Sequence, residues 1–265
     1  MEKLDIHIVG LGNLGSAFLK GLRDLHKKTD IYLYEESKDV RQVIEESYSL
    51  TPKESLNMIS KGVLILCIKP QNINEFFDIY KDKIAKDVLI CTPIAGLEIK
   101  TIEKYLENNV LRIMPNLLIQ EKNGFIPFTS NYEGDYLNFI HNILENLGTV
   151  KEVDESMFAI VTALSGSGPA WFYELSNQLV NAGTKLGLSS KDSELIVQEL
   201  LKALPSLVHE DVTFENLVNK VKSPGGTTEA GLNSLNNASF DTIIFEAIQK
   251  ATQRSTEISK ELNNE

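Results

Sequence analysis

The sequence predicts an α/β N-terminal domain on a doubly wound, mostly parallel sheet, followed by an all-α C-terminal domain. Three observations carry this. Up to about residue 152, short apolar runs alternate with helical periodicity, as in repeated strand–helix units. Beyond Glu152 the strand pattern stops, and apolar residues recur only at helical spacing. At the very start, the apolar run Leu4–Val9 leads straight into Gly10-Leu11-Gly12-Asn13-Leu14-Gly15. The domains are therefore set at 1–152 and 153–265.

Composition narrows the function. A chain of 265 residues with 42% hydrophobic content suits two domains with real cores. Its 37 acidic residues against 26 basic ones, a net charge of −11, argue against a nucleic-acid partner and for a soluble protein. No apolar stretch approaches membrane-spanning length, and Met1-Glu2-Lys3-Leu4-Asp5 lacks a signal-peptide pattern, so no membrane association and a cytoplasmic location are expected. Cys67 and Cys91 lie in apolar runs and read as buried free thiols. The four histidines are scattered, and no metal site is expected.

The elements follow in order. After the first strand and its glycine loop comes an amphipathic helix with Leu14, Ala17, Phe18, Gly21, Leu22 and Leu25 on one face. This sets G-x-G-x-x-G between strand and helix: the first glycine turns tightly, the second admits a pyrophosphate, and the third lets helix and strand approach. A second strand, 31–34, ends in Glu35-Glu36, placing Glu35 20 residues after Gly15, where an acid holds the ribose hydroxyls of NAD. Together these features specify a dinucleotide-binding domain of the Rossmann type. Further strands are predicted at 63–68, 88–92, 111–114 and 125–128, with helices between them, as at 74–83 and 100–108. Cofactor and substrate belong at the carboxyl ends of such strands. Lys69-Pro70-Gln71, Pro93-Ile94-Ala95-Gly96 and Pro115-Asn116 are the wall segments expected there.

In the second domain, helices are predicted at 157–164, 170–186, 195–208, 214–221, 228–235 and 240–262. Ser189-Ser190 supplies caps, and Gly187 closes the preceding helix. Ser165-Gly166-Ser167-Gly168-Pro169 interrupts the helical path, as a kink or as a ligand-facing turn. The helix from Ala170 is apolar on more than one face, through Trp171, Phe172, Leu175, Leu179, Val180 and Leu186, which suits burial against a second subunit. Near the C-terminus runs Val221-Lys222-Ser223-Pro224-Gly225-Gly226-Thr227-Thr228. Its glycine N–H groups can converge on an anion, aided by the start of the next helix. A hydroxyl beside them can bond a second atom of the same ligand. On these residues alone, a Pro-Gly turn with a threonine N-cap is the stronger candidate, since turns far outnumber sites.

Taken together, the segments resemble the pyrroline-5-carboxylate reductase family over essentially the full length. Residues 164–170 and 221–231 carry most of the resemblance, supported by the glycine loop, 68–71, Ala95-Gly96 and 112–116. The resemblance implies a Rossmann domain and a helical substrate-binding and dimerisation domain, assembled as a homodimer or a higher oligomer of dimers. It implies hydride transfer from NAD(P)H to the C=N bond of 1-pyrroline-5-carboxylate, giving L-proline. Gly10, Gly12, Asn13, Leu14 and Gly15 would hold the pyrophosphate. Lys69, Pro70, Ala95, Gly96 and Asn116 would line the groove toward the nicotinamide. Ser223, Gly225, Gly226 and Thr227 would grip the substrate carboxylate, and Thr228, the catalytic residue, would donate a hydrogen bond to the ring nitrogen.

The chain departs from the family pattern in three places. Leu117-Leu118 stand where Thr-Pro is common, Glu54 where an asparagine often touches the adenosine, and Glu35-Glu36-Ser37 where many relatives carry Asn-Arg-Ser or Asn-Arg-Thr. With Lys38 as the one nearby cation and no arginine beside the ribose, NADH is expected to be preferred over NADPH. A reductase of a related cyclic imino acid, or a non-catalytic paralogue, is the alternative to the main reading.

Overall fold

The computed structural model describes residues 4–22, 29–209 and 211–263; residues 1–3 and Leu25, named above, lie outside them. In chain order the strand-bearing part comprises β1 (Leu4–Val9), α1 (Asn13–Leu22), β2 (Thr29–Tyr34), α2 (Lys38–Tyr48), β3 (Val63–Leu66), α3 (Ile73–Tyr80), β4 (Leu89–Thr92), α4 (Ile99–Ile102), β5 (Val110–Ile113), β6 (Gly124–Ser130), α5 (Asp135–Glu145) and β7 (Gly148–Glu152). Then come α6 (Phe158–Val161), α7 (Gly168–Lys185), α8 (Ser190–Ala203), α9 (Phe214–Val221), α10 (Thr227–Asn237) and α11 (Phe240–Asn263).

The strands form one sheet in the order β2-β1-β3-β4-β5-β6-β7. Neighbours run parallel except β5 and β6, which are antiparallel with Arg112 opposite Thr129. Every residue of β3, β4 and β5 is buried, the mark of strands covered on both faces. Alternation divides them between two cores. Val63 and Ile65 face a cluster with Phe18 of α1 and Ile140 of α5, while Leu64 and Leu66 face another with Phe77 of α3 and Ile102 of α4. The fold class is the doubly wound one expected, and the strand order reverses between β1 and β3, where such sheets bind ligands.

Two compact units result: Met1–Ser167 together with Gln249–Glu265, and Gly168–Ile248. Strands end at Glu152, yet the first unit continues through α6 and is completed by the last part of α11, whose Ile258 and Leu262 pack into the core of α3 and α4. In the second unit α7 and α8 form an antiparallel hairpin. The Leu188 N–H closes onto the Gly183 carbonyl at 3.1 Å, and the Ser189 hydroxyl caps α8 by accepting from the Asp192 N–H at 3.0 Å. Between α6 and α7, Thr162–Gly166 winds as a π turn, so the predicted interruption is a widened helix followed at once by another.

Two differences from the sequence reading have clear causes. The helix expected over 100–108 contracts to α4, because the Asn108 amide donates to the carbonyls of Ala85, Lys86 and Val88 and draws the chain across to the entry of β4. Strand β7 went unpredicted because it is an edge strand, Gly-Thr-Val-Lys-Glu, with no apolar run to betray it.

His7 of β1 is buried, with Nδ1 3.2 Å from the Tyr34 hydroxyl and its ring stacked on Tyr32 at 4.8 Å. Burial, with help from the Lys53 charge and against the pull of Asp5, lowers its pKa to about 4. The unfolded chain takes up this proton near pH 6.5, the folded one only near 4, so the unfolded state binds more protons in that window. Stability is fully present above pH 6.5 and falls as pH drops toward 4, by about 2–3 kcal/mol from this group. Urea unfolding of His7→Phe should therefore show a shallower acid decline than the parent. Superimposable pH profiles would show that His7 does not carry it.

Candidate active site

The glycine loop is closed by contacts that only glycine permits. Gly10 has φ +85°, and a Cβ there would meet the Cys67 carbonyl oxygen at 2.7 Å. A Cβ on Gly15 would lie 1.9 Å from the Gly10 carbonyl oxygen, whereas one on Gly12 would meet nothing within 4 Å. The loop is thus packed against β3 at its two ends and open at Gly12, the geometry a pyrophosphate needs for close backbone approach. Gly12 and Asn13 are exposed, Leu14 is half-buried, and the Ser16 hydroxyl donates to the Leu11 carbonyl at 2.7 Å.

At the end of β2, Glu35 is fastened to this loop. Its Oε2 accepts from the Leu11 N–H at 2.7 Å and its Oε1 from the Ser37 N–H at 2.9 Å. A cavity of about 400 Å³ opens beside it, lined by Gly10, Gly12, Glu35, Glu36, Glu54 and Lys69, with Leu56, Phe76, Ile79 and Tyr80 forming an apolar wall. Polar at the glycine loop and apolar at the far side, it fits a nucleotide: ribose by the acids, base against the wall.

This corner also corrects the sequence reading, which saw no arginine there. Arg41, on the first turns of α2, folds back so that one terminal nitrogen donates to the carbonyls of Glu35 at 2.8 Å and Glu36 at 2.7 Å. The other terminal nitrogen lies 3.5 Å from Glu54 Oε2. The Ser37 cap, whose hydroxyl accepts from the Val40 N–H, marks where the helix begins, and a long cation one turn inside it can reach back over the strand end. That was the available signal.

Lys69, Ala95-Gly96 and Asn116 stand at the carboxyl ends of β3, β4 and β5. Lys69 is exposed, and Pro70 opens a short 3-10 turn, Pro70–Asn72. Gly96 is pressed against α11, where a Cβ would meet the Ser259 backbone nitrogen at 2.8 Å. Buried Asn116 accepts from the Leu118 N–H at 3.2 Å and donates to the Ser165 hydroxyl at 3.4 Å, which brings Ser165 to the end of β5. Beneath it Arg112 donates to Glu155 Oε1 at 2.7 Å and lies over the Phe158 ring at 4.5 Å. The same oxygen accepts from the Ile99 N–H at 2.9 Å. Glu98 accepts from the Ser259 hydroxyl and pairs with Lys100 at 3.0 Å. Burial alone would raise its pKa, but these hydrogen bonds and the Arg112 charge outweigh that and hold it below the ordinary carboxylate value.

In the second unit, Ser223–Gly226 is a tight turn, the Gly226 N–H donating to the Ser223 carbonyl at 3.0 Å, with Gly225 at φ +69°. Gly226 is the N-cap of α10 and offers no side chain to it. The Gly225 N–H instead donates to Glu229 Oε2 at 2.8 Å. Glu229 occupies the third helical position, where a carboxylate reaches back over the helix start. That spacing could have revealed a residue the sequence reading passed over. Ser223, Gly225 and Thr227 are exposed, and Gly226 and Thr228 half-buried. The residues expected to hold the cofactor thus lie within the first unit, and those expected to hold the substrate within the second.

Residues 155–258 match the family model for pyrroline-5-carboxylate reductase dimerisation, and residues 5–96 match that for coenzyme F420-dependent NADP oxidoreductases. The chain is 32% identical over 266 residues to pyrroline-5-carboxylate reductase 2 of Bacillus subtilis, covering 97% of this chain and 95% of that one. It is also 32% identical over 267 residues to the pyrroline-5-carboxylate reductase of Staphylococcus haemolyticus, covering 96% and 98%. Among solved structures, the Plasmodium falciparum pyrroline carboxylate reductase with NADP bound superposes with a TM-score of 0.83 at 26% identity, covering 97% of this chain and all of that one. The Coxiella burnetii pyrroline-5-carboxylate reductase gives a TM-score of 0.83 at 26% identity, covering 98% and 100%.

The glycine geometry makes a direct prediction. Because the atom facing Gly15 is backbone, Gly15→Ala cannot be absorbed by a side chain and must displace the loop, at roughly 1–3 kcal/mol. Calorimetric titration should show at least about a tenfold loss of NADH affinity, with far-UV circular dichroism little changed. Parental affinity in this variant would mean that the loop does not hold the dinucleotide.

Proposed function

This chain belongs to the pyrroline-5-carboxylate reductase family, and we propose that it reduces 1-pyrroline-5-carboxylate to L-proline, the last step of proline biosynthesis, with a reduced nicotinamide dinucleotide as hydride donor. The observation that carries this reading is the turn before α10. Its Gly225 N–H already holds a carboxylate oxygen at 2.8 Å, so the loop is shaped to receive that group, and Thr228 stands beside it at the start of the helix. The substrate offers both features: a carboxylate, and a ring nitrogen bonded to the carbon that bears it.

In this reading Ser223, Gly225, Gly226 and Thr227 hold the substrate carboxylate. Thr228 donates a hydrogen bond from its hydroxyl to the ring nitrogen, which gains electron density as the C=N carbon is reduced. A reduced nicotinamide supplies the hydride. Gly10, Gly12, Asn13, Leu14 and Gly15 hold its pyrophosphate, and Lys69, Pro70, Ala95, Gly96 and Asn116 line its path. An imine is electrophilic already, so positioning supplies most of the acceleration and no dedicated His or Asp acid is required.

NADH is the preferred donor in this proposal. Glu35 spends one lone pair per oxygen on Leu11 and Ser37, which leaves others to accept from both ribose hydroxyls. A 2′-phosphate would instead meet the carboxylates of Glu35, Glu36 and Glu54. The protein works as a homodimer or an oligomer of dimers. Phe172, Leu179 and Leu186 of α7 and its end are 66%, 51% and 89% exposed in the single chain, an apolar surface that asks for a partner. The thiols of Cys67 and Cys91, which burial holds far from ionisation, suit the reducing cytoplasm.

The following measurements test this reading. Thr228→Val should lose roughly ten- to a thousandfold in turnover, followed as loss of NADH absorbance, while still binding NADH. In the parent, NADH should exceed NADPH at least about tenfold in kcat/KM. Turnover by Thr228→Val equal to the parent would remove Thr228 from the chemistry. Reduction of a six-membered cyclic imine but not of pyrroline-5-carboxylate would move the substrate assignment. Light scattering should give at least twice the 29.6 kDa chain mass, and Leu179→Asp should lower it. A fully active monomer would exclude the dimer.

A further inference from the structure

Resting on the reading of the first unit as a dinucleotide domain, the geometry points to Arg41 as a masked receptor for a ribose 2′-phosphate, with Glu54 as the mask that sets cofactor specificity. Three observations lead there. The first is how Arg41 is held. One terminal nitrogen is fixed on the carbonyls of Glu35 and Glu36, the two residues that rim the cavity at the ribose position. Its side chain is only 20% exposed, so the fork is pre-organised and little rotamer freedom is left to lose on binding.

The second observation is what the free edge of that fork faces. The remaining terminal nitrogen points to Glu54 Oε2 at 3.5 Å, and Glu54 also lines the cavity. The distance is long for a charge-assisted hydrogen bond, and Glu54 is 76% exposed. The pair is therefore weak in itself. Its effect is to put a negative group on the donor edge that a phosphate would need. The third observation is the company around it. Glu35, Glu36, Glu54 and Glu75 line the same cavity, against Lys69, an ammonium with no bidentate grip.

The consequence is specific. Loss of Glu54 should do more than relieve repulsion, because it frees a guanidinium edge that is held in place on the carbonyls of two residues lining the cavity. A phosphate carries up to two negative charges and accepts bidentate bonds from such an edge. Preference for the unphosphorylated dinucleotide is then set jointly: Glu35 selects the hydroxyls, and Glu54 occupies the free edge of the Arg41 guanidinium. Loss of Glu36 removes equal charge from the cavity without freeing Arg41.

Calorimetry on the full-length chain with 5′-AMP and 2′,5′-ADP, which differ by the 2′-phosphate alone, tests this without turnover. The parent should bind 5′-AMP more tightly. Glu54→Gln should raise the affinity for 2′,5′-ADP relative to that for 5′-AMP about tenfold. Glu36→Gln should yield a clearly smaller gain, and adding Arg41→Met to Glu54→Gln should abolish the gain. No gain in Glu54→Gln, an equal gain in Glu36→Gln, or a gain that survives loss of Arg41 would each overturn the proposal. The comparison with Glu36→Gln decides even where Arg41→Met weakens both nucleotides. A parent chain that binds neither nucleotide would bring down the dinucleotide reading and this inference with it.

Discussion

The ion pair of Arg112 with Glu155 is the constraint around which the first unit is arranged. Arg112 sits at the carboxyl end of β5, its side chain 5% exposed, where an uncompensated guanidinium would be strongly unfavourable. Glu155 follows the last strand by three residues, so pairing the two forces the chain to turn sharply after β7 and cross over the sheet ends. Glu155 also receives the Ile99 N–H, which fixes the loop after β4. Phe158 then closes over the guanidinium. Breaking a buried pair from one side costs about 3–5 kcal/mol, and the one-third exposure of Glu155 puts this pair toward the lower end. What the pair determines is placement. With these segments pinned, Ser165 is brought to Asn116 at the end of β5.

Much of this architecture was legible in the chain because its signals are local. A glycine loop between an apolar strand and an amphipathic helix carries its own geometry, and α9 coincides with its predicted bounds since a capping threonine and a following Ser-Pro punctuate it. Strands β3 to β5 are buried on both faces and so read as unbroken apolar runs. The parts that escaped depend on partners distant in sequence. Asn108 cuts a helix short by bonding carbonyls about twenty residues earlier. β7 is defined by its pairing with β6, Gly124 opposite Gly148, and not by its own composition. The signal for Arg41, a long cation one turn inside a serine-capped helix, is weak because it shows possible reach and not the partners, the carbonyls of Glu35 and Glu36, that fix it.

Both proposed anion cradles hold a carboxylate from within the chain: Glu35 on the Leu11 N–H, and Glu229 on the Gly225 N–H. This follows from the cost of leaving a backbone donor unmet, which is comparable to that of a lost hydrogen bond. A loop shaped to receive anions keeps that shape by receiving one of its own. Binding of a charged ligand at either loop is then an exchange of acceptors or a sharing of donors, so its strength reflects a difference between two similar interactions.

The first unit is discontinuous, and that has a consequence for how the protein is made. Ile258 and Leu262 complete a core whose other members lie between Val9 and Val110, and Ser259 meets Glu98, 161 positions earlier in the chain. On a ribosome the sheet emerges long before the helix that seals it. Until then the nascent sheet presents an apolar seam, and Gly96 has nothing to lean on. The closing contact bears the entropy of a very long loop, which grows only logarithmically with length but delays the final step. A chain halted a few turns short of its end would keep all its strands and both proposed cradles, yet leave that seam open.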